Sequence, residues 1–149
     1  LQTCNPAQEL GDFPIATKSD QVTYQLAVVV DDFCQGVDFV VRGNDLVAST
    51  FRQLELYQHL GHPMPRHAHV PLVLGRDGRR LAKRHGDTRL SHYREQGVSP
   101  ETIVGWAAHS LGLIESAEPC KASELIDRFD WSKLPTADTL VDTDRLFGL

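Results

Sequence analysis

The chain contains 149 residues, of which 41% are hydrophobic, and this size suits one ordinary globular core. Its formal net charge of −5 argues against a general nucleic-acid binder, because such proteins neutralise phosphates with clustered cations. No run of about 20 apolar residues is present to span a bilayer, so we expect no membrane partner. Three widely spaced cysteines without CxxC spacing predict neither a disulfide framework nor a zinc site, and we therefore expect a reducing, cytoplasmic setting.

The first segment with a clear pattern runs from Gly11 to Val30. Phe13 and Ile15 predict a short strand, and the polar residues 18–21 predict a turn. Residues 22–30 are rich in β-branched side chains and end in a continuous apolar run, which is typical of a strand buried on both faces. The sequence therefore predicts a β-hairpin here.

Two further strands are predicted downstream. The first covers residues 37–41 and ends on Arg42 and Gly43. The second covers residues 70–74, and the composition of residues 75–78, Gly-Arg-Asp-Gly, predicts a turn directly after it.

One helix is predicted between these two strands. Ser49 or Thr50 can cap its N-terminus, and Gly61 follows its last apolar residue, Leu60. The order strand, helix, strand indicates an α/β sheet.

After the turn the chain becomes mainly helical. Thr88 is expected to cap a helix that ends near Gly97, and residues 99–111 open with Ser-Pro-Glu, a typical helix start. A short helix is also predicted at residues 123–129.

A domain boundary is predicted near Gly86, with an α/β part in residues 1–86 and a helical part in residues 87–149. The residues expected to be buried lie on the strands and the helix of the first part: Val28, Val30, Phe39, Val41, Leu54, Tyr57 and Leu72.

Basic residues concentrate between Arg76 and Arg89, where six of them stand against two acidic residues. This segment has a net charge of +4 although the whole chain is acidic. A local anion site is one interpretation, and a solvated basic turn is the other, which charge alone favours.

Three short motifs follow in a fixed order: YQLAVVVDD at Tyr24–Asp32, VRGNDL at Val41–Leu46 and RLAKR at Arg80–Arg84. Together they resemble the back half of the catalytic core of class I glutamyl- and glutaminyl-tRNA synthetases. The intervening segment HVPLVL at residues 69–74 is similar to the glutamyl-Q tRNA(Asp) synthetase branch of that family. The resemblance covers residues 11–113, about two thirds of the chain.

The resemblance implies the second half of a Rossmann-like class I synthetase nucleotide-binding fold, followed by a mainly helical region. The family's first signature, His-x-Gly-His at the start of that fold, is expected to be missing, as is the zinc-binding insertion of the glutamyl-Q branch. The chain opens on Leu1 rather than methionine, which fits a segment excised from a longer protein, while processing would give the same start. We therefore expect no zinc, no activity without the N-terminal half of the core, and self-association through exposed sheet edges.

Arg42 and Tyr24 are the candidate substrate-binding residues. Arg42 ends a predicted strand, and ligands of open α/β sheets collect at the carboxyl ends of strands. A guanidinium there can hold a carboxylate through two parallel hydrogen bonds, while an ion pair with a neighbouring aspartate is the alternative. The resemblance implies that Arg42 binds glutamate and that Tyr24 lines the same pocket. Without the resemblance, Tyr24 is equally well interpreted as a core aromatic.

RLAKR resembles the family's second signature, usually Lys-Leu/Met-Ser-Lys-Ser/Arg, a mobile loop whose lysines stabilise ATP phosphates during adenylate formation. The resemblance gives this catalytic role to Lys83 and Arg80. Ala82 departs from the pattern because it lacks the usual serine hydroxyl.

The resemblance also implies nucleotide contacts by Asp45 and, through the main chain, by Leu72 and Val73 with adenine. From the pattern alone, Leu72 and Val73 belong to a buried strand. His67 and His69 alternate on one face of an extended segment, but no acidic or cysteine partner stands nearby, so we expect no metal site.

Two functions therefore fit the sequence. In the first, the chain is part of an ATP-dependent enzyme, with Mg²⁺ in its complete form, that activates glutamate as glutamyl-adenylate and transfers it to tRNA. In the glutamyl-Q branch the acceptor is the queuosine base of tRNA(Asp). In the second, the chain is a catalytically silent synthetase-like module for RNA or protein interaction.

Overall fold

The computed structural model describes residues 3–81, 89–142 and 146–147. It is an α/β structure whose described strands pair in parallel, as the sequence predicts. Contacts divide the chain into two units, Leu1–Val70 and Pro71–Leu149. The boundary predicted near Gly86 lies outside the described residues and stays a prediction. None of the described helices combines the length and the apolar character that a membrane span requires.

The first unit is built around a strand–helix–strand crossover. Its helices and strands are α1 (Pro6–Glu9), α2 (Tyr24–Gln35), β1 (Phe39–Gly43), α3 (Val47–Leu60) and β2 (Arg66–Val70). β1 and β2 pair in parallel, with Arg42 opposite His69. Parallel strands need such a crossover connection, so the predicted order strand, helix, strand is confirmed.

The strand predicted at residues 22–30 is wrong, because this segment forms the helix α2. Its valines favour strands by local preference, but that preference is weak, and Val29 is buried on one helical face. Gly36 ends the helix in the left-handed conformation, at φ 71°. Only one antiparallel bridge, Ala16 to Val22, corresponds to the predicted hairpin.

Helix α3 confirms the predicted helix and its end, because Gly61 is its C-cap at φ 69°. The predicted N-cap is wrong. The N-cap residue is Leu46, and Ser49 and Thr50 lie inside the first turn. The Thr50 hydroxyl donates to the carbonyl of Leu46 (3.2 Å), a bond within the helix rather than a cap.

Burial follows the prediction for Tyr57, which is 2% exposed, and fails for three residues. Val30, Phe39 and Val41 are 38%, 36% and 51% exposed. Side chains alternate across a strand, so Phe39 and Val41 lie on the face of β1 opposite to Arg42. The side chain of Arg42 bonds to α3, so α3 lies on the Arg42 face of β1 and not on the face of Phe39 and Val41. The remaining predicted core residues are partly buried: Val28, Leu54 and Leu72.

The second unit contains β3 (Val73–Gly75), α4 (Leu90–Glu95), α5 (Pro100–Ser110) and β4 (Thr139–Val141). The single strand predicted at residues 70–74 is split between β2 and β3 by Pro71, which has no main-chain N–H to donate. β3 pairs in parallel with β4, a strand that the sequence did not predict. The predicted turn after β3 is confirmed, with the Gly78 N–H donating to the Gly75 carbonyl (2.9 Å).

The helix starts of the second unit follow their local signals. Ser99 caps α5 by accepting from the Thr102 N–H (3.1 Å), with Pro100 in the first turn, as predicted. The proposed cap of α4, Thr88, lies outside the described residues. The short helix predicted at residues 123–129 is a 3₁₀ helix, Ala122–Arg128.

Candidate functional site

The guanidinium of Arg42, at the end of β1, is held by two buried neutral side chains of α3. Its Nη2 donates to Thr50 Oγ1 (2.6 Å) and to Gln53 Oε1 (2.7 Å). Thr50 is 6% and Gln53 2% exposed. Among the described residues, no carboxylate forms an ion pair with Arg42, so the alternative of a neighbouring aspartate partner is not what the structure shows.

The two bonds restrict how Arg42 can bind a carboxylate. Nη2 carries two hydrogens, and both are used by Thr50 and Gln53. Both carboxylate-binding edges of a guanidinium include Nη2, because it lies between Nη1 and the Nε–H side. Arg42 Nε is buried and has no partner among the described residues. A carboxylate therefore binds through Nη1, or displaces one of the two neutral acceptors.

A chain of hydrogen bonds extends from Arg42 to helix α2. Gln53 Nε2 donates to Gln25 Oε1 (2.9 Å), and Gln25 Nε2 donates to Ser49 Oγ (3.1 Å). Since a guanidinium can only donate, the oxygen of Gln53 must face Arg42, and both amide orientations follow. The chain therefore reaches α2 at Gln25, the residue that follows Tyr24 in that helix.

Thr50 also contacts His69, whose Nε2 lies 2.9 Å from Thr50 Oγ1. When the Thr50 hydroxyl donates to the carbonyl of Leu46 (3.2 Å), Oγ1 accepts from Arg42 and from an Nε2–H of His69. In that arrangement the proton of His69 is on Nε2. Burial and the charge of Arg42 lower the pKa of His69, which keeps the ring neutral.

His67 stands beside His69, with ring centroids 6.4 Å apart and planes 9° apart. Burial, and then the charge of Arg42, lower the pKa of His67. Both rings border a cleft of about 540 Å³, whose other lining residues are Val47, Thr50, Phe51, Leu54 and Pro65. Within the described ranges, no three His, Cys, Asp or Glu side chains are grouped as a metal site requires.

These two histidines predict a pH-dependent stability. Their folded pKa values lie below the ordinary value of 6.5, so the unfolded chain binds more protons. The stability that they contribute is complete above pH 6.5 and is lost as the pH falls from there toward their folded pKa values. We expect a lower urea midpoint at pH 5.5 than at pH 7.5.

His69→Gln tests this expectation because glutamine keeps a donor for Thr50 and does not titrate. The variant should depend less on pH between 7.5 and 5.5 than the unaltered protein. His109→Gln, at an exposed position of α5, is the control for removing a histidine elsewhere. If the urea midpoint of His69→Gln depends on pH as strongly as that of the unaltered protein, His69 does not contribute to the pH-dependent stability.

The other two candidates of the first unit are exposed. Tyr24 is 58% exposed at the first position of α2, so the alternative of a core aromatic is wrong. Asp45 is exposed in the 3₁₀ turn Asn44–Leu46, which follows β1 directly.

In the second unit, the main chain of Leu72 is already bonded. Its N–H donates to Asp138 Oδ1 (2.8 Å), and its carbonyl accepts from the Thr139 N–H (2.8 Å). In a parallel ladder successive residues bond to opposite sides, so the N–H and carbonyl of Val73 face away from β4. Leu72 and Val73 are the two residues predicted to contact adenine. Only Val73 directs its main-chain N–H and carbonyl away from β4.

The basic motif is described only at its start. Arg80 is exposed and forms an antiparallel bridge with Leu74, next to β3. Ala82 and Lys83 lie outside the described residues, and the role of Lys83 stays a prediction.

The expectation that no His-x-Gly-His segment occurs is wrong as a statement about the sequence, because residues 59–62 read His-Leu-Gly-His. The structure places this segment at the C-terminal end of α3, where Gly61 is the cap. The ring of His62 stacks on Phe33 at a centroid distance of 3.7 Å. Phosphates bind at helix N-termini, and a helix C-terminus carries the opposite partial charge. The segment is therefore a helix stop rather than a phosphate site.

Comparisons with known proteins agree with these motifs. Residues 2–147 match a family model described as tRNA synthetases class I (E and Q), catalytic domain. A glutamyl-Q tRNA(Asp) synthetase of Rhodopirellula baltica is 57% identical over 93% of this chain and 46% of its own length. Another, from Symbiobacterium thermophilum, is 46% identical over 93% of this chain and 43% of its own length. The chain thus spans less than half the length of these relatives.

A solved structure supports the fold. The glutamate tRNA ligase of Elizabethkingia meningosepticum, in complex with its amino acid, matches 89% of this chain and 30% of its own. The TM-score is 0.71 at 24% sequence identity. The predicted fold class, an α/β part of the class I catalytic fold, is confirmed.

Proposed function

This chain belongs to the class I tRNA synthetase family for glutamate and glutamine, and from that premise we propose that it is part of an enzyme that attaches glutamate to tRNA. The chain covers less than half of the two glutamyl-Q tRNA(Asp) synthetases compared above. In our proposal it therefore supplies one part of the active site, and residues outside these 149 supply the rest.

The state of Arg42 is the observation that carries this proposal. Its half-buried guanidinium stands at the carboxyl end of a parallel strand, where α/β folds bind ligands. Both of its partners are neutral, although a cation withdrawn from water is usually paired with an opposite charge. An anionic ligand fits this site. We assign to it the side-chain carboxylate of glutamate, with Tyr24 lining the pocket.

The proposed first step forms glutamyl-adenylate. An α-carboxylate oxygen of glutamate attacks the α-phosphorus of ATP, the bond to the bridging oxygen breaks, and pyrophosphate leaves. Arg80 and Lys83 stabilise the charge that develops on the phosphates, together with the Mg²⁺ that ATP carries. Asp45 and the main chain of Leu72 and Val73 contact the nucleotide in this proposal. For Leu72, that contact competes with its two existing bonds.

The proposed second step transfers the glutamyl group to a hydroxyl of tRNA and releases AMP. The two relatives reported above are named glutamyl-Q tRNA(Asp) synthetases, which favours tRNA(Asp), through its queuosine base, as the acceptor. An ordinary tRNA terminus is the other acceptor to test.

A catalytically silent module remains the second candidate, because Ala82 replaces the serine of the family's second signature. The hydroxyl that serine supplies is then missing from the phosphate loop. Such a module would bind RNA or protein without consuming ATP.

Glutamate-dependent exchange of pyrophosphate into ATP separates the two candidates. We expect no exchange from the 149-residue chain alone. We expect exchange when the chain follows the N-terminal part of the Rhodopirellula baltica relative in one polypeptide, because that joining supplies the remainder of the ATP site. We refer to this protein below as the joined enzyme.

A substrate control and two possible results decide between the candidates. Glutamine in place of glutamate should give background exchange, because it lacks the carboxylate. A folded joined enzyme without exchange, in which Ala82→Ser restores exchange, would favour the silent module, because the missing serine hydroxyl is the ground for that candidate. Exchange by the chain alone would contradict the division of the ATP site.

A further inference from the structure

Gln53 is an unusual group to bury, and its contacts explain its position. It is 2% exposed, and an amide at such a position must satisfy its hydrogen bonds inside the protein. Its oxygen accepts from Arg42 (2.7 Å), and its nitrogen donates to Gln25 (2.9 Å). One side chain thus connects the strand that carries Arg42 with the helix that begins at Tyr24.

The neutrality of Gln53 matters as much as its shape. Glutamate has nearly the same volume and would form a stronger, charge-assisted bond with Arg42. Buried or half-buried arginines are ordinarily paired with such carboxylates. An acidic residue at position 53 would satisfy Arg42 inside the protein and would repel an anionic ligand. An amide orients the guanidinium and leaves its charge available.

Thr50 adds to this effect. It accepts from the same Nη2 atom at 2.6 Å, and its hydroxyl is neutral. The Arg42 guanidinium is thereby fixed at two points, and neither point compensates its charge.

We propose that Gln53 is a specificity-determining positioning residue, which orients Arg42 for an anionic amino-acid side chain without neutralising it. The inference rests on the proposed function for the identity of the ligand. The geometry of the Arg42–Gln53–Gln25 chain can be tested independently of that function.

The decisive variant is Gln53→Glu in the joined enzyme. The new carboxylate competes with the substrate for Arg42, so the Michaelis constant for glutamate should rise at least about tenfold. The Michaelis constant for ATP should change by less than about twofold, because position 53 lies among the residues assigned to glutamate. Gln25 can turn its amide to donate to the new carboxylate, so the urea midpoint should not fall.

Two further variants separate positioning from a merely structural role. Gln58→Glu adds the same charge at an exposed position of the same helix and should leave the constant for glutamate unchanged. Gln53→Met keeps the volume but removes both bonds. It should lower the urea midpoint and raise the constant for glutamate only a few-fold, because Arg42 keeps its charge and Thr50.

The bond itself is tested in the 149-residue chain. Arg42→Met and Gln53→Met should each lower the urea midpoint, and the double variant should lower it by less than the sum of the two shifts. Additive shifts would show that the pair is not coupled and would overturn the inference.

The outcomes distinguish the two levels of the proposal. If the joined enzyme exchanges pyrophosphate and Gln53→Glu leaves its glutamate kinetics unchanged, the inference on Gln53 is wrong while the proposed function stands. If the coupling is present but the unaltered joined enzyme shows no glutamate-dependent exchange, the proposed function fails, and the specificity assigned to Gln53 fails with it.

Discussion

Arg42→Lys should raise the Michaelis constant for glutamate more than about a hundredfold in the joined enzyme, a loss on the order of 3 kcal/mol in transition-state binding. Lysine keeps the charge but presents one nitrogen instead of a planar group. Arginine uses Nη2 for its bonds to Thr50 and Gln53 and has Nη1 left for a substrate carboxylate. The single lysine nitrogen cannot occupy both of these positions. The Michaelis constant for ATP should stay nearly unchanged.

The same substitution should also affect folding. Gln53 is almost completely buried, and the shorter lysine side chain does not place its nitrogen where Nη2 of Arg42 donates to the Gln53 oxygen. A buried acceptor left unsatisfied costs about 1 to 3 kcal/mol, so a lower urea midpoint is expected in the 149-residue chain as well. Kinetics must therefore be measured at a temperature where the variant is shown to be folded.

Lys83→Ala is the matched contrast in the joined enzyme. Lys83 is proposed to act on the phosphates while charge develops, so its loss should lower turnover and leave the Michaelis constant for glutamate nearly unchanged. If Arg42→Lys leaves glutamate kinetics unaltered in a folded protein, Arg42 is a structural residue of the α3 contact and the substrate assignment is wrong.

The structure changes one part of the original hypothesis on Arg42. The sequence suggested a two-bond grip on the carboxylate, which needs a free edge of the guanidinium. Both Nη2 hydrogens are already bound to Thr50 and Gln53. A substrate must use Nη1 or exchange with one of these neutral acceptors, and such an exchange costs less than displacing a carboxylate.

Local signals predicted much of the fold. Ser99 with Pro100 marked the start of α5, and Gly61 marked the end of α3, because caps depend on a few neighbouring residues. The strand predicted at 37–41 overlaps β1, which begins two residues later, and the turn after β3 followed from its Gly-Arg-Asp-Gly composition. Helix α2 was missed because its valines carry a local strand preference that the surrounding contacts override.

The candidate site was predictable only in its outline. Motifs identified Arg42, but its partners are eight and eleven residues away, and composition does not reveal them. One signal was present in the sequence. Thr50, Gln53 and Tyr57 share a helical face at spacings of three and four, so two polar residues stood on a face with a core aromatic. A polar pair at such a place indicates buried hydrogen bonds.

The exposure of Val41 and Phe39 has a different origin. Their apolar, β-branched and aromatic character indicated a buried strand, because parallel sheets are usually covered on both faces. In this structure Arg42, on the opposite face of β1, bonds to α3, while Phe39 and Val41 are 36% and 51% exposed. The sequence of a strand shows that its side chains favour burial. It does not show whether another helix or strand packs over them.

Gly105→Ala should lower the free energy of unfolding by about 3 kcal/mol or more, although alanine is the better helix former by about 1 kcal/mol. Gly105 is buried within α5. A Cβ there would collide with the carbonyl oxygen of Glu118 and lie 2.7 Å from its carbonyl carbon. The segment cannot simply move away, because the Cys120 N–H donates to the carbonyl of Glu101 in the same helix (3.1 Å).

Gly36→Ala is the matched control for this prediction. Gly36 ends α2 at φ 71°, and a Cβ there would meet no atom within 4 Å. The cost is then limited to the left-handed backbone, about 1 to 2 kcal/mol. Urea unfolding should therefore rank Gly105→Ala well below Gly36→Ala, and amide exchange in α5 should accelerate only in Gly105→Ala. If Gly105→Ala is as stable as the unaltered protein or more stable, residues 118–120 do not lie against α5. Only their contact with position 105 opposes the higher helix propensity of alanine.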